Sequence, residues 1–261
     1  MTASTVSHSQ VMDTFDREGS VVFRNVLDSE LLAEASAHVD WLHARHPDRS
    51  GEELAHDLVA SDAFWVRLVS DDRLLDIAET FIGPDIALFA SHYISKPART
   101  GQPVLWHQDA AFWPLDPMEV VTLWLAVDDS TVDNGCLQVV PGSHKQNLLE
   151  MQSRDDIKNV LGAEIRAEVD ESQARDLILN AGDVEVHHPM IVHGSKANHS
   201  ANRRCGLTIR YIPTSTRITT PEQPFASALL LRGEAGRNIY QPAPTYREGD
   251  SFPFRDSAAW I

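Results

Sequence analysis

The change of hydrophobic period at about residue 85 constrains the fold of this chain more than any other feature. Before it, apolar residues recur at helical spacing. Leu31, Leu32, Ala35, Val39 and Leu42 follow Asp28, a residue suited to cap a helix N-terminus, and predict a helix from about 29 to about 45. A second helical region is expected from about 52 to about 68. A third starts after Asp71, buries Leu74, Leu75, Ala78 and Phe81, and stops at Gly83-Pro84. His38, His43 and His46 are expected on a solvated face. Ahead of these helices, Ser20 to Val26 reads as a short strand.

After residue 85 the period is two. Ile86 to Ile94 reads as a strand ended by Lys96-Pro97. Val120 to Val127 places Thr122, Trp124 and Ala126 on one face and Val121, Leu123, Leu125 and Val127 on the other. Asp133-Asn134-Gly135 is a tight-turn signal, with Cys136 to Val140 expected as the returning strand of that hairpin. Ala181-Gly182-Asp183 turns the chain into Val184 to His187 and then the strand carrying His193. Arg204 to Ile212 alternates cleanly, with Arg204, Gly206, Thr208 and Arg210 facing one way and Cys205, Leu207, Ile209 and Tyr211 the other. The charged stretch from 145 to about 175 is expected to form a helix and loop at a rim. The proline-rich tail from 213 is expected to fold over a pocket mouth.

Helices followed by short strands predict a mainly β fold with α elements, an antiparallel β barrel or jelly roll behind an N-terminal helical layer. A single domain is expected over residues 1–261, with the helical layer at about 28–83, the barrel core at about 85–212 and a C-terminal arm at 213–261. There is no internal repeat, no phosphate-cradling glycine loop and no nucleophile elbow. The net charge of -16 argues against nucleic acid or an anionic membrane as partner, because both demand clustered Lys and Arg. The implied partner is a small molecule, and monomer and homo-oligomer are both open. Cys136 and Cys205 are too few for a disulfide framework and suit a reducing cytoplasm. Met1 to Gln10 has no apolar leader, and no stretch approaches the ~18 apolar residues of a membrane span.

The chemistry is concentrated in Trp106-His107-Gln108-Asp109. Residues two apart on extended chain share a face, so His107 and Asp109 can close on one metal ion. His193 supplies a third ligand, and two imidazoles with one carboxylate form the facial triad that holds non-heme Fe(II) with open positions. Such an iron accepts a bidentate 2-oxo acid, whose far carboxylate needs a cation. Arg204, eleven residues past His193 on the expected adjacent strand, suits that role because its planar fork meets a carboxylate bidentately. Arg203 and Arg210 are alternatives. Ser195 shares the face of His193 and can add a donor. Thr122 and Trp124 can line the opposite wall. The loop Phe112-Trp113-Pro114-Leu115-Asp116-Pro117 reads as a pocket rim.

The ordered run His107-Gln108-Asp109, Trp124, Asn134-Gly135-Cys136-Leu137, Pro141-Gly142-Ser143-His144, His193-Gly194-Ser195 and Arg204 resembles the phytanoyl-CoA dioxygenase family of Fe(II)- and 2-oxoglutarate-dependent oxygenases. The resemblance covers roughly residues 10 to 215. It implies a double-stranded β-helix with His107, Asp109 and His193 as iron ligands. Arg204 and Ser195 match the residues that grip the distal carboxylate of 2-oxoglutarate, and Trp124 and His92 match further co-substrate contacts. Lys96 and Gln108 match frequent residue types. Family halogenases lack the carboxylate ligand, so Asp109 implies hydroxylation, with O2 as second co-substrate and succinate and CO2 as products. His144, His187 and His188 are candidates to orient the ligands or to serve as structural histidines. Lys96, Phe112, Trp113, Arg210 and Tyr211 are candidate substrate contacts. An acidic chain offers no basic rim for coenzyme A, so a small polar or zwitterionic metabolite is expected. Two readings from other classes stand beside this one. The first is a β-barrel binding module that keeps a metal without turnover. The second is a cupin-like Zn(II) or Mn(II) hydrolase or isomerase, in which Arg204 and Ser195 have no co-substrate to hold.

Overall fold

A computed structural model describes residues 7–220 and 227–261, so Met1 to Val6 of the polar N-terminal stretch lie outside it. The first element, α1 (His8–Glu18), has no counterpart in the period analysis. A capping box between Ser7 and Gln10 starts it, and Gly19 ends it in the left-handed conformation at φ 80°. β1 (Ser20–Phe23) is shorter than expected because the next residues turn to bind one acid. The Arg24 guanidinium and the Asn25 N–H both donate to the Asp183 carboxylate.

α2 (Ser29–Arg45) begins where the Asp28 carboxylate accepts from the Leu31 N–H. Residues 52–68 are not one helix. Two short 3-10 turns, Gly51–Glu53 and His56–Ser61, precede α3 (Ala63–Val69), because Asp62 caps a new helix by accepting from the Trp65 N–H. Asp62 also overturns the solvated reading of His38, whose Nε2 lies 2.8 Å from its Oδ2 and whose Nδ1 lies 3.1 Å from the Tyr93 hydroxyl, all three residues buried. α4 (Asp72–Ile82) buries Leu74, Leu75 and Ala78 as expected, while Phe81 is half-buried against Phe15. No helix among the described residues is long and apolar enough to cross a membrane.

The strands that follow are β2 (Ile86–Lys96), β3 (Val104–His107), β4 (Leu115–Asp116), β5 (Val121–Ala126), β6 (Leu137–Val139), β7 (Met151–Ser153) and β8 (Ala163–Ile165). They continue with β9 (Arg175–Leu177), β10 (Val184–His187), β11 (His193–Ser195), β12 (Arg204–Pro213), β13 (Arg217–Ile218) and β14 (Leu229–Arg232). A six-stranded sheet in the order β1-β10-β5-β12-β2-β14 faces a four-stranded sheet in the order β3-β11-β6-β9, every pairing antiparallel. This is the expected jelly-roll arrangement of a double-stranded β-helix.

The alternation of β5 and β12 decides what each face does. Val121, Leu123, Leu125, Cys205, Leu207, Ile209 and Tyr211 join the core shared with α2, α3 and α4. Trp124, Arg204, Thr208 and Arg210 line a cavity on the other face of the sheet.

Four expectations are corrected. β6 is not the hairpin partner of β5, whose two edges are already bonded to β10 and β12. The Asp133-Asn134-Gly135 turn exists, with the Asn134 side chain accepting from the Thr131 N–H and donating to the Asp129 carbonyl, but it carries the chain to the facing sheet. For the same reason β12 is not adjacent to β11, and Arg204 reaches the site from the opposite wall. Residues 145–175 form no α-helix; β7 and β8 make a hairpin there, followed by a 3-10 turn at Glu171–Gln173. The described part of the tail does not line the cavity: β13 pairs with β4, β14 adds to β2, and Phe252 and Phe254 insert into the helical core.

Gly135 has φ 78°, and a Cβ there would stand 2.3 Å from the Lys196 carbonyl oxygen. Gly135→Ala should therefore cost about 1–3 kcal/mol, lowering Tm by about 2–4 °C per kcal/mol. Thermal unfolding followed by circular dichroism checks this; an unchanged Tm would contradict the strain.

Candidate metal centre

His107 closes β3 and His193 opens β11. These strands pair with His193 directly opposite His107, which brings the two rings to a centroid distance of 4.0 Å. Asp109 comes from the 3-10 turn that follows β3 rather than from the strand itself. One donor atom from each of His107, Asp109 and His193 lies within 4.8 Å of the others, and all three residues are buried.

The two imidazoles are oriented alike. Nδ1 of His107 bonds the Leu105 carbonyl at 2.8 Å, and Nδ1 of His193 bonds the Ile191 carbonyl at 3.0 Å. A carbonyl only accepts, so each Nδ1 carries the proton and each Nε2 turns a lone pair inward.

The carboxylate of Asp109 is divided between two jobs. Oδ1 lies 3.5 Å from Nε2 of His107 and 3.9 Å from Nε2 of His193. Oδ2 faces outward to the Thr122 hydroxyl at 3.5 Å, Nε2 of His187 at 3.6 Å and Nε of Arg210 at 3.8 Å. Burial alone would raise the Asp109 carboxyl, but Arg210 and the neighbouring imidazoles outweigh it and hold it well below the ordinary range. Burial drives the His193 imidazole well below its ordinary value. Two imidazoles with converging Nε2 atoms and one carboxylate are the donor set of a divalent transition metal.

His187 places a further imidazole against this set, with its ring 4.7 Å from that of His193. Its Nδ1 is 2.7 Å from the Glu185 carboxylate, which is completely buried. Burial opposes its protonation, yet Glu185 and Asp109 prevail and lift it to about 9. His187 thus stands at the outer oxygen of Asp109, its Nε2 buried and unbonded at 3.6 Å, and leaves the inner oxygen facing His107 and His193.

A second polar cluster occupies another part of the cavity. Arg204 donates through Nε and Nη2 to the Gly135 carbonyl at 3.1 and 2.9 Å, and through Nη2 to the Ser195 hydroxyl at 3.2 Å. Lys96 stands opposite Arg204 in the β2–β12 register and donates to the same hydroxyl at 2.7 Å. Both side chains are buried, and neither has an ion-pair partner among the described residues. Burial and the neighbouring Arg204 push the Lys96 amine down to about 6. The Trp124 ring lies 5.2 Å from the Arg204 guanidinium, in space that opens only because residue 206 is glycine: a Cβ there would come within 2.0 Å of the ring.

The remaining candidates divide. Arg203 is paired with Asp128 and Asp40 outside the cavity and is no alternative to Arg204. Gln108 does not line the cavity; its amide donates to the Met190 carbonyl at 2.8 Å and its Oε1 accepts from the Leu149 N–H at 2.7 Å, so it ties two loops together. Thr122 stands behind Asp109. His92 sits behind Arg210, which it holds at 2.7 Å, and is not a lining residue. Trp113 likewise backs Arg210 at 5.3 Å, while Phe112 is 41% exposed beside His107. Tyr211 is no rim contact: it points into the helical layer and donates to the Val69 carbonyl at 2.7 Å. His188 and His144 pack on each other outside the cavity, His144 bonded to the Asp16 carbonyl. Ile94, Val104, Leu137, Val160 and Leu161 make apolar walls that sequence reasoning did not single out.

Comparison with known proteins fits this geometry. The family model described as Phytanoyl-CoA dioxygenase (PhyH) matches residues 15–206. The chain belongs to the phytanoyl-CoA dioxygenase family. Within and around this family, it is 30% identical over 221 residues to the L-proline trans-4-hydroxylase of Streptomyces griseoviridis, covering 77% of this chain and 76% of that protein. It is 32% identical over 147 residues to the probable alpha-ketoglutarate-dependent hypophosphite dioxygenase of Stutzerimonas stutzeri, covering 55% of this chain and 51% of that protein. Among solved structures, the apo form of the non-heme monooxygenase ThoJ superposes with a TM-score of 0.78 at 27% identity, over 93% of this chain and 89% of that one.

The missed residue of this family member is Glu185. The alternation Val184-Glu185-Val186-His187 carried the signal, since a buried period-two strand with an acid and an imidazole on one face pairs them across two residues. Removing the support it gives should loosen the metal site. His187→Ala is expected to weaken Zn(II) or Fe(II) binding about 10–100-fold, measured by competition with a chelator, and wild-type affinity in a folded variant would sink the positioning role.

Proposed function

We propose that this chain is an Fe(II)- and 2-oxoglutarate-dependent dioxygenase that hydroxylates an unactivated C–H bond of a small, polar metabolite, releasing succinate and CO2. The observation that carries the proposal is the coexistence, in one cavity, of the His107–Asp109–His193 donor set with Ser195 and the buried Arg204 guanidinium, which has no ion-pair partner among the described residues. A Zn(II) or Mn(II) hydrolase or isomerase that takes no co-substrate has no use for that second cluster, whereas a dicarboxylate co-substrate needs it. The names of the relatives support both parts, one being alpha-ketoglutarate-dependent and the other a hydroxylase of an amino acid.

Fe(II) with bound 2-oxoglutarate supplies O2 activation and the oxidising power for C–H cleavage. The protein's share is placement. His107, Asp109 and His193 would hold the metal. Ser195, Arg204 and Lys96 receive the distal carboxylate, and Trp124 bounds it. Ile94, Val104, Leu137 and Val160 keep bulk water from the reacting centre. Asp109 occupies the position that halogenases leave free, so hydroxyl transfer is the proposed outcome. The strongly acidic chain disfavours an acyl-coenzyme A substrate.

Anaerobic addition of Fe(II) and 2-oxoglutarate to the apoprotein should produce the weak visible charge-transfer band of the chelate, and O2 should then yield succinate. Asp109→Ala should abolish both, and Arg204→Ala should weaken 2-oxoglutarate binding by about thirtyfold or more, equivalent to ~2 kcal/mol. A folded, iron-loaded wild type with neither band nor succinate would discard the reading in favour of a metal-binding module.

A pH test follows from Lys96. Its amine, at about 6, is largely neutral at pH 7.5. A dianion arriving beside it favours the ammonium and raises the value, so binding takes up a proton between pH 7 and 9. The calorimetric enthalpy of 2-oxoglutarate binding should then vary with buffer ionisation enthalpy, and Lys96→Met should remove that dependence.

A further inference from the structure

We infer that Arg210 anchors a carboxylate on the substrate, so that the hydroxylated molecule is a carboxylic acid; this rests on the oxygenase reading above. Arg204 and Arg210 lie on one face of β12, six residues and therefore roughly 20 Å apart. Both line the cavity that contains the metal ligands. The cation at the Arg204 end, with Ser195 and Lys96, is committed to the co-substrate. The cation at the other end has no such assignment.

The Arg210 side chain is only 12% exposed and is built into place. Its Nη1 bonds Nδ1 of His92 at 2.7 Å and the Thr208 hydroxyl at 2.9 Å, and its guanidinium stacks 5.3 Å from the Trp113 ring. These partners are neutral or aromatic and return no negative charge. The Nε–H is buried and has no hydrogen-bond partner, since the nearest acid oxygen, Oδ2 of Asp109, is at 3.8 Å, beyond bonding reach.

Asp109 draws on the Arg210 charge at 3.8 Å but leaves its Nε–H unbonded, and it is not dependent on Arg210 alone: His187 and Thr122 also stand at its outer oxygen, and its inner oxygen faces the other two members of the donor set. A guanidinium that cannot lose its charge, fixed in a buried wall with an idle N–H beside the reacting centre, is satisfied by an anion from the ligand. The fork geometry selects a planar carboxylate. An acid held there presents its nearby carbons to the metal side of the cavity, which sets the C–H bonds within reach close to the carboxylate.

The test uses wild-type protein loaded anaerobically with Fe(II) and 2-oxoglutarate. Acetate, propionate and the L-amino acids are titrated against their primary amides, and perturbation of the visible band is followed. Acids should perturb it at concentrations at least tenfold below the amides, Arg210→Gln should erase that preference, and Arg210→Lys should retain part of it. Amides as effective as acids, no response to either, or an undiminished preference in Arg210→Gln would overturn the anchor. If Arg210→Gln does not fold, a severalfold loss of preference in Arg210→Lys carries the comparison. If the wild type shows no band, the same acid–amide pairs are compared by the melting temperature of the Zn(II)-loaded protein. An acid preference lost in the Arg210 variants then keeps the anchor and discards the oxygenase, and equal shifts discard the anchor.

Discussion

Everything in the site depends on the register of one strand pair. With His193 set opposite His107 across β3 and β11, two imidazoles are forced together with their lone pairs convergent. Their backbone partners, Leu105 and Ile191, lie two residues before each histidine, so the same extended geometry that pairs the strands also fixes both tautomers. A one-residue slip would turn either ring out of the barrel. The stiffness needed to hold that register comes from elsewhere, from the packed core between the six-stranded sheet and α2, α3 and α4.

β12 translates the core into chemistry. One of its faces is closed by apolar residues against the helices, and the other presents cations to the cavity on either side of a glycine that admits Trp124. The acid side is arranged with equal care. Asp109 divides its oxygens between the metal side and an outer ring of Thr122, His187 and Arg210, and Glu185 stabilises His187 from behind.

The local features were legible. Period-two alternation in Val121–Ala126 and Arg204–Tyr211 assigned every side chain of those strands to its correct face, and the Asp28 and Asp71 caps and the Gly83 stop bounded two helices. The triad was legible because its residue types are scarce and chemically specific. What failed was non-local. The Asp133-Asn134-Gly135 turn has the residues of a hairpin, yet strand pairing was decided by β10 and β12, which come from distant sequence. His38 is buried because Asp62 and Tyr93 reach it from other elements. Gln108 sits between two metal ligands but on the opposite face of an extended segment, which the alternation itself implies. Tyr211 was assigned to two incompatible places, and periodicity rather than its aromatic character was the reliable guide. The tail has no periodicity to read, since its prolines interrupt it.

That tail has a consequence for how the molecule behaves among its own copies. Without β14, the outer edge of the six-stranded sheet would be the eleven-residue β2, a long row of open amides and carbonyls. β14 covers Ile86 to Leu88 of that row, Leu54 bridges Tyr93 further along it, and β1, four residues long, bounds the sheet on the other side. Interrupted edges of this kind give a neighbouring chain less to zip onto, so β14 and the Leu54 bridge together guard the barrel against edge-to-edge aggregation.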